Sequence, residues 1–229
     1  MLLKHSLGRR LLAEGVGTAF LVAVVVGSGI AAQQLSPHDT GLQLLENAAA
    51  TAGGLIALIL ALGPVSGAHF NPVVTIADWL FGGVDRRDVP AYVAAQIGGA
   101  IAGCLIANLM FELDAVTWST TDRATGGHAL AEVVATLGLL MVIFGVVRSN
   151  RASAAPLAVG AYIGGAYFFT SSTSFANPAV TIGRMFTDTF AGIAPATAPL
   201  FIATQLVGLA LAYALIRTLY PEVIVADSS

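Results

Sequence analysis

The sequence predicts an all-α membrane protein of six transmembrane helices and two re-entrant half-helices, arranged as an inverted repeat. Three observations carry this reading: a composition too poor in charge for water, six apolar runs of spanning length, and an Asn-Pro motif that twice opens an apolar segment too short to span. Of 229 residues, 56% are hydrophobic and 10% charged, against about 25% charged in a soluble domain. Mean hydropathy is +0.82. A net charge of −3 without a basic run excludes the electrostatic footprint of nucleic-acid binding. Cys104 is the single cysteine, which excludes an intramolecular disulfide framework and a multi-cysteine metal site. The 25 glycines exceed the usual ~7% and point to helices packed backbone to backbone.

A spanning helix needs about 20 largely apolar residues. Runs 11–32, 48–65, 89–111, 129–147 and 198–217 meet that plainly. A sixth, 156–170, is shorter but carries the Gly-, Ala- and aromatic-rich stretch from Gly160 to Phe169. The first run follows Lys4, Arg9 and Arg10 as a secretory signal would, yet it is longer than the ~7–15-residue core of such a signal and is read as a helix. With the N-terminus inside, cytoplasmic segments hold Lys4, Arg9, Arg10, Arg86, Arg87, Arg148, Arg151 and Arg217, and outer segments only Arg123 and Arg184. The positive-inside rule therefore places both termini in the cytoplasm of a multi-pass protein of the inner (plasma) membrane.

The chain repeats itself. Leu12-Ala13-Glu14 recurs as Leu130-Ala131-Glu132, Asn71-Pro72-Val73-Val74-Thr75-Ile76 as Asn177-Pro178-Ala179-Val180-Thr181-Ile182, and Gln96 has a counterpart in Gln205. The offsets of 118, 106 and 109 residues are expected to differ because the first outer loop, 33–47, is longer than its counterpart near 148–155. One domain, 1–229, thus divides into repeats of approximately 1–115 and 125–220, each with three spans and one short segment, 71–81 or 177–187. Three is odd, so the halves enter the membrane with opposite topology.

Asn caps the free amides of a first helical turn, and Pro tolerates the first position, where no donor is needed. Each short segment begins this way and, at ~10 residues, reaches about half of a ~30 Å hydrocarbon core. Two such half-helices meeting at their Asn ends form a broken seventh span. The irregular backbone before them, 63–70 and 170–176, is tolerated there only if it lines a wet cavity or is buried in protein. Facing helix N-termini place partial positive charge at mid-membrane, a barrier to cations and hydronium. If the asparagine oxygens cap, the NH2 groups of Asn71 and Asn177 are expected to remain free to donate to a passing oxygen, which interrupts a proton-conducting chain.

Ser66-Gly67-Ala68-His69-Phe70-Asn71-Pro72-Val73-Val74-Thr75 resembles the first signature loop of the aquaporin and aquaglyceroporin (major intrinsic protein) family, and Asn177-Pro178-Ala179 the second. The resemblance covers nearly the whole chain, including Glu14, Glu132 and Ala95-Gln96-Ile97-Gly98-Gly99-Ala100. It implies an hourglass fold, a homotetramer with one pore per subunit, and passive conduction of water or small uncharged solutes. Counted from the signature asparagines, the family's selectivity filter falls on Thr51, Gly165, Ser174 and Val180. Water-selective members carry an aromatic, a histidine, a small residue and an arginine there, and glycerol channels keep the arginine and an aromatic. Val180 at the arginine place implies a wide, nearly uncharged filter, similar to a bacterial aquaglyceroporin subgroup linked to arsenic resistance. That resemblance implies arsenous acid or methylated arsenicals as substrates.

Each of these residues has a plainer reading. Arg184, four residues past Val180, either attracts solutes at the vestibule or anchors an interfacial loop. Phe168, Phe169 or Phe175 could refill the space left at Val180. Glu14 and Glu132, as intramembrane carboxylates, suggest ion coupling by default, but in this fold they are expected to accept hydrogen bonds from the dipping loops, with Gln96 and Gln205 assisting. His69 either lines the inner vestibule or makes a fixed hydrogen bond. Cys104 is expected to pack, as are Gly98, Gly99 and Gly103. No nucleophile–base arrangement, phosphate loop or metal cluster stands out, so neither an enzyme, a metal nor a cofactor is expected. The leading function is a passive channel for small uncharged solutes, glycerol-like polyols and arsenicals included, and for water. A plain water or glycerol channel, a coupled secondary transporter and a scaffold are the alternatives.

Overall fold

Apolar runs bounded by caps become eight α-helices in the computed structural model, which describes residues 5–221. Lys4 and the last eight residues lie outside the described residues. In chain order the helices are α1 (Leu7–Leu35), α2 (Thr40–Ser66), α3 (Pro72–Leu80), α4 (Val89–Met110), α5 (Gly126–Arg148), α6 (Ala155–Phe169), α7 (Pro178–Gly183) and α8 (Ala198–Leu219). Six of them, with α6 extended by the 3-10 turn Ala152–Ala154, are long and apolar enough to cross a membrane. No strand occurs among the described residues. The protein is thus all-α, with six spans and two half-helices, α3 and α7, that enter from opposite faces and meet tip to tip.

One expectation fails at the start of α2. The segment 33–47 is not a long loop: α1 runs to Leu35 and α2 begins at Thr40, where Asp39 Oδ1 accepts from the Leu42 amide at 2.9 Å. The polar residues that suggest a loop are bonded to α1 and its end instead. Gln43 Nε2 donates to the Ser36 carbonyl (2.8 Å), Ser36 Oγ to Glu46 (2.8 Å), and Asn47 Nδ2 to the Val25 carbonyl and Ser28 Oγ (2.8 Å each). Helix length, not loop length, separates the repeat offsets: α2 has 27 residues and α6 has 15, the same difference as between offsets 118 and 106. α7 is also shorter than expected. It stops after six residues and tightens into a 3-10 turn, Arg184–Phe186.

Glycines set the closest helix crossings. A Cβ on Gly99 of α4 would lie 2.2 Å from the Gly15 carbonyl oxygen of α1, and one on Gly103 would lie 2.1 Å from that of Ala19. Gly208 of α8 meets Val133 of α5 in the same way at 2.8 Å. Gly183 at the end of α7 lies against the Ala100 carbonyl, seating the half-helix on α4. Gly98 does not share this role, since nothing lies within 4 Å of its Cβ position. Large apolar side chains such as Leu12, Phe20, Ile106, Phe168 and Phe169 point outward, as expected where the solvent is hydrocarbon or a neighbouring copy.

On the face away from the chain ends, the α4–α5 segment packs over the segment before α8. Thr117 and Ser119 amides donate to the Phe186 and Met185 carbonyls (3.2 and 3.0 Å), and Ala194 N to Thr121 O (2.8 Å). Arg123 Nε and Nη2 hold the Gly192 and Phe190 carbonyls at 3.0 and 3.3 Å. Asp122 is held below the usual carboxylate range by the Ala124 amide and the Thr197 hydroxyl. Gly99→Ala should destabilise the fold by about 1–3 kcal/mol, because backbone must move to admit the methyl. Gly98→Ala should be neutral or slightly stabilising. Thermal midpoints of the purified variants in detergent check both.

Candidate functional site

The loops leading into α3 and α7 share one unusual conformation. Gly67, Ala68 and Phe70 have φ of 91°, 50° and 50°, and their counterparts Thr173, Ser174 and Ala176 have 62°, 53° and 46°. Five of these six are not glycine, and such backbone persists only where its surroundings over-determine it. Two buried carboxylates do so. Glu14 Oε1 accepts from Ser66 Oγ (2.7 Å) and the His69 amide (2.9 Å), and its Oε2 from the Phe70 amide (2.7 Å) and Gln96 Nε2 (2.8 Å). Glu132 repeats the pattern: Oε1 with Ser172 Oγ (2.6 Å) and the Phe175 amide (2.9 Å), Oε2 with the Ala176 amide (2.8 Å) and Gln205 Nε2 (2.7 Å). Gln96 and Gln205 also donate to Thr75 and Thr181, whose hydroxyls bond the Asn71 and Asn177 carbonyls. Neither glutamate lines the central cavity, so the two intramembrane carboxylates that suggested ion coupling do not face solute.

At the tips, Asn71 Oδ1 accepts from the Val73 amide (3.0 Å), and Asn177 Oδ1 from those of Ala179 (3.0 Å) and Val180 (3.2 Å). The NH2 groups, expected from sequence to be free, are each engaged in one protein hydrogen bond. Asn71 Nδ2 donates to the Ala176 carbonyl and Asn177 Nδ2 to the Phe70 carbonyl, each at 2.8 Å. This exchange ties the two half-helices together and leaves one N–H of each amide for a solute. Pro72, Val73, Pro178 and Ala179 are buried behind the tips and do not line the cavity; the two asparagines do.

A cavity of about 740 Å³ runs from Arg10, Tyr92 and His69 at the face of the chain ends, past both asparagines, to Val180 and Arg184. Of the four filter positions, Thr51, Ser174 and Val180 line it. Gly165 does not. It sits on the exposed face of α6, while Pro156, Val159, Ile163 and Tyr167 form the lining stripe. Counting back from Asn177 misses the rotation of α6, whereas the three- and four-residue spacing of that stripe was the signal for Tyr167. The Tyr167 hydroxyl lies 3.1 Å from Thr51 Oγ1, linking α6 to α2.

The filter is not nearly uncharged, because Arg184 also lines the cavity and is only 2% exposed. Its Nε donates to the Ala191 carbonyl, and its guanidinium carbon lies 3.4 Å from the centroid of the Phe175 ring. Phe175, buried and lining, is the aromatic of the mouth, whereas Phe168 and Phe169 face outward. At the other end, His69 lines the cavity with Nδ1 3.1 Å from Thr75 Oγ1 and Nε2 3.6 Å from Asp78 Oδ2. It therefore combines both roles considered for it. Cys104 is fully buried in the core between α1, α4 and α7. No cluster of metal-ligating side chains occurs among the described residues.

The sequence profile of the major intrinsic protein family matches residues 1–176. The chain belongs to this family. Members are membrane channels, so the protein is a passive channel of the water and glycerol class and not an enzyme. Among curated relatives of the family, the aquaglyceroporin AqpS of Rhizobium meliloti (strain 1021) is 49% identical over 216 residues, covering 94% of this chain and 92% of that one. The maize aquaporin NIP2-3 is 35% identical over 162 residues, covering 69% and 52%. The fold is that of the aquaglyceroporin from Plasmodium falciparum, with a TM-score of 0.72 at 21% identity over 96% of this chain and 98% of that one.

Glu132→Gln turns one acceptor oxygen into a donor that faces two donors. It should cost roughly 3 kcal/mol through groups left unpaired in the interior. A lowered thermal midpoint together with loss of water flux in proteoliposomes checks this.

Proposed function

We propose that the protein conducts water and small uncharged solutes larger than water, namely glycerol-like polyols and arsenous acid or methylated arsenicals. The observation that carries this reading is Val180, an apolar side chain lining the cavity where the family resemblance has an arginine. Thr51 and Ser174 complete that part of the filter, and Tyr167 takes the place first given to Gly165. The asparagine pair, framed by Pro72, Val73, Pro178 and Ala179, orients solute oxygens at mid-membrane. Glu14, Glu132, Gln96 and Gln205 hold the loops, and His69 and Arg184 mark the two vestibules. The AqpS relative, named an aquaglyceroporin, supports the polyol class.

The protein acts as one channel domain per chain within a homotetramer, in the inner membrane, with both termini cytoplasmic. A plain water or glycerol channel is the second reading, favoured by Arg184, whose guanidinium reaches the same cavity. Stopped-flow light scattering on proteoliposomes separates the two. The native protein should pass water, glycerol and erythritol. Val180→Arg should keep water flux within about twofold while lowering erythritol flux roughly tenfold or more. Native flux limited to water, or erythritol flux unchanged by the substitution, would overturn the wide-filter reading.

A further inference from the structure

Arg184 holds bonding capacity that the fold does not use. Its Nε is occupied by the Ala191 carbonyl and one face of its plane is covered by Phe175. The remaining edge carries Nη1 and Nη2, and among the described residues neither finds a hydrogen-bond partner or is sealed from the cavity. No carboxylate lies within ion-pair distance of it among the described residues. The nearest charges do not neutralise it. Arg123 lies over the same Phe175 ring at 5.2 Å and adds positive charge, while Glu132 is committed to its four donors.

A guanidinium held rigidly at one nitrogen presents its other two as a pre-set pair of parallel donors. That geometry matches two oxygens on one atom, and charge-assisted pairing of this kind is the strongest hydrogen bonding available to a side chain. We infer that Arg184 forms a binding station for small monovalent oxyanions, carboxylates foremost, at the mouth opposite the chain ends. The inference rests on the channel reading above and adds a ligand class to it. The bound anion stays at the mouth, because carrying a charge past the apolar stretch beyond Val180 requires desolvation that two half-helix ends do not compensate. Occupancy narrows the entrance, so oxyanions compete with solute entry.

The test is glycerol flux in proteoliposomes at neutral pH, with sodium formate equilibrated on both sides and sodium chloride at equal ionic strength as the control. Flux is read as the ratio with and without anion, which is independent of each variant's own permeability. Formate should slow native flux well beyond chloride. Arg184→Gln should raise the half-inhibiting formate concentration about tenfold or more, and Arg184→Lys, which keeps the charge without the fork, should fall between. In parallel, formate should raise the thermal midpoint of the purified native protein and not that of Arg184→Gln. If Arg184→Gln does not fold, native protein and Arg184→Lys carry the comparison. Equal effects of formate and chloride on the native protein, or inhibition unchanged by substitution, would overturn the station. Absent glycerol flux with a formate-dependent midpoint that requires Arg184 would instead remove the channel reading and leave the station standing.

Discussion

Backbone carried to mid-membrane outside a regular helix must find every hydrogen-bond partner within the protein, and the rest of this structure follows from how that requirement is met. Glu14 and Glu132 each gather two loop amides, a serine hydroxyl and a glutamine amide. An ionised carboxylate suits the task because it only accepts, at up to four positions. With all four filled, its charge is spread over donors that are themselves fixed. The left-handed residues Gly67, Ala68, Phe70, Thr173, Ser174 and Ala176 are thereby kept in place without regular secondary structure.

From that anchoring comes the meeting of the two half-helices. The loops deliver Asn71 and Asn177 close enough for each to bond the carbonyl that precedes the other. The half-helices are short, so their burial alone would not fix their angle. Gly183 against Ala100 seats α7 on α4, and Gly99 and Gly103 bring α4 onto α1, the helix that carries Glu14. Close helix packing and loop anchoring are thus one system. The cavity it leaves sets polar groups, among them the two asparagines, Thr51, His69 and Arg184, against apolar walls such as Leu21, Val25 and Ile163.

Much of this was legible in the sequence because it depends on short-range rules. Span lengths follow from apolar runs, half-helix starts from Asn-Pro capping, and opposite topology from an odd number of spans per repeat. The start of α2 was hidden because Gln43, Glu46 and Asn47 look like loop residues until their partners on α1 are known. Gly165 was misplaced because counting along the chain carries no information about how α6 is rotated, whereas the spacing of Val159, Ile163 and Tyr167 does. Arg184 stands four residues after Val180 and so shares its helix face. That the face turns inward depends on Phe175 and the Ala191 carbonyl, which come from separate loops. The crossed asparagine bonds join residues more than a hundred positions apart, and no local pattern encodes them.

The central claim is that two opposed half-helix ends, locked by those crossed bonds, let oxygen-bearing neutral solutes through while interrupting proton transfer. Water and proton permeability measured in the same proteoliposomes, by light scattering and an entrapped pH-sensitive dye, test it most directly. Water flux well above that of protein-free vesicles, with proton flux at their level, is the expected result. Proton flux that rises in step with water flux would contradict it.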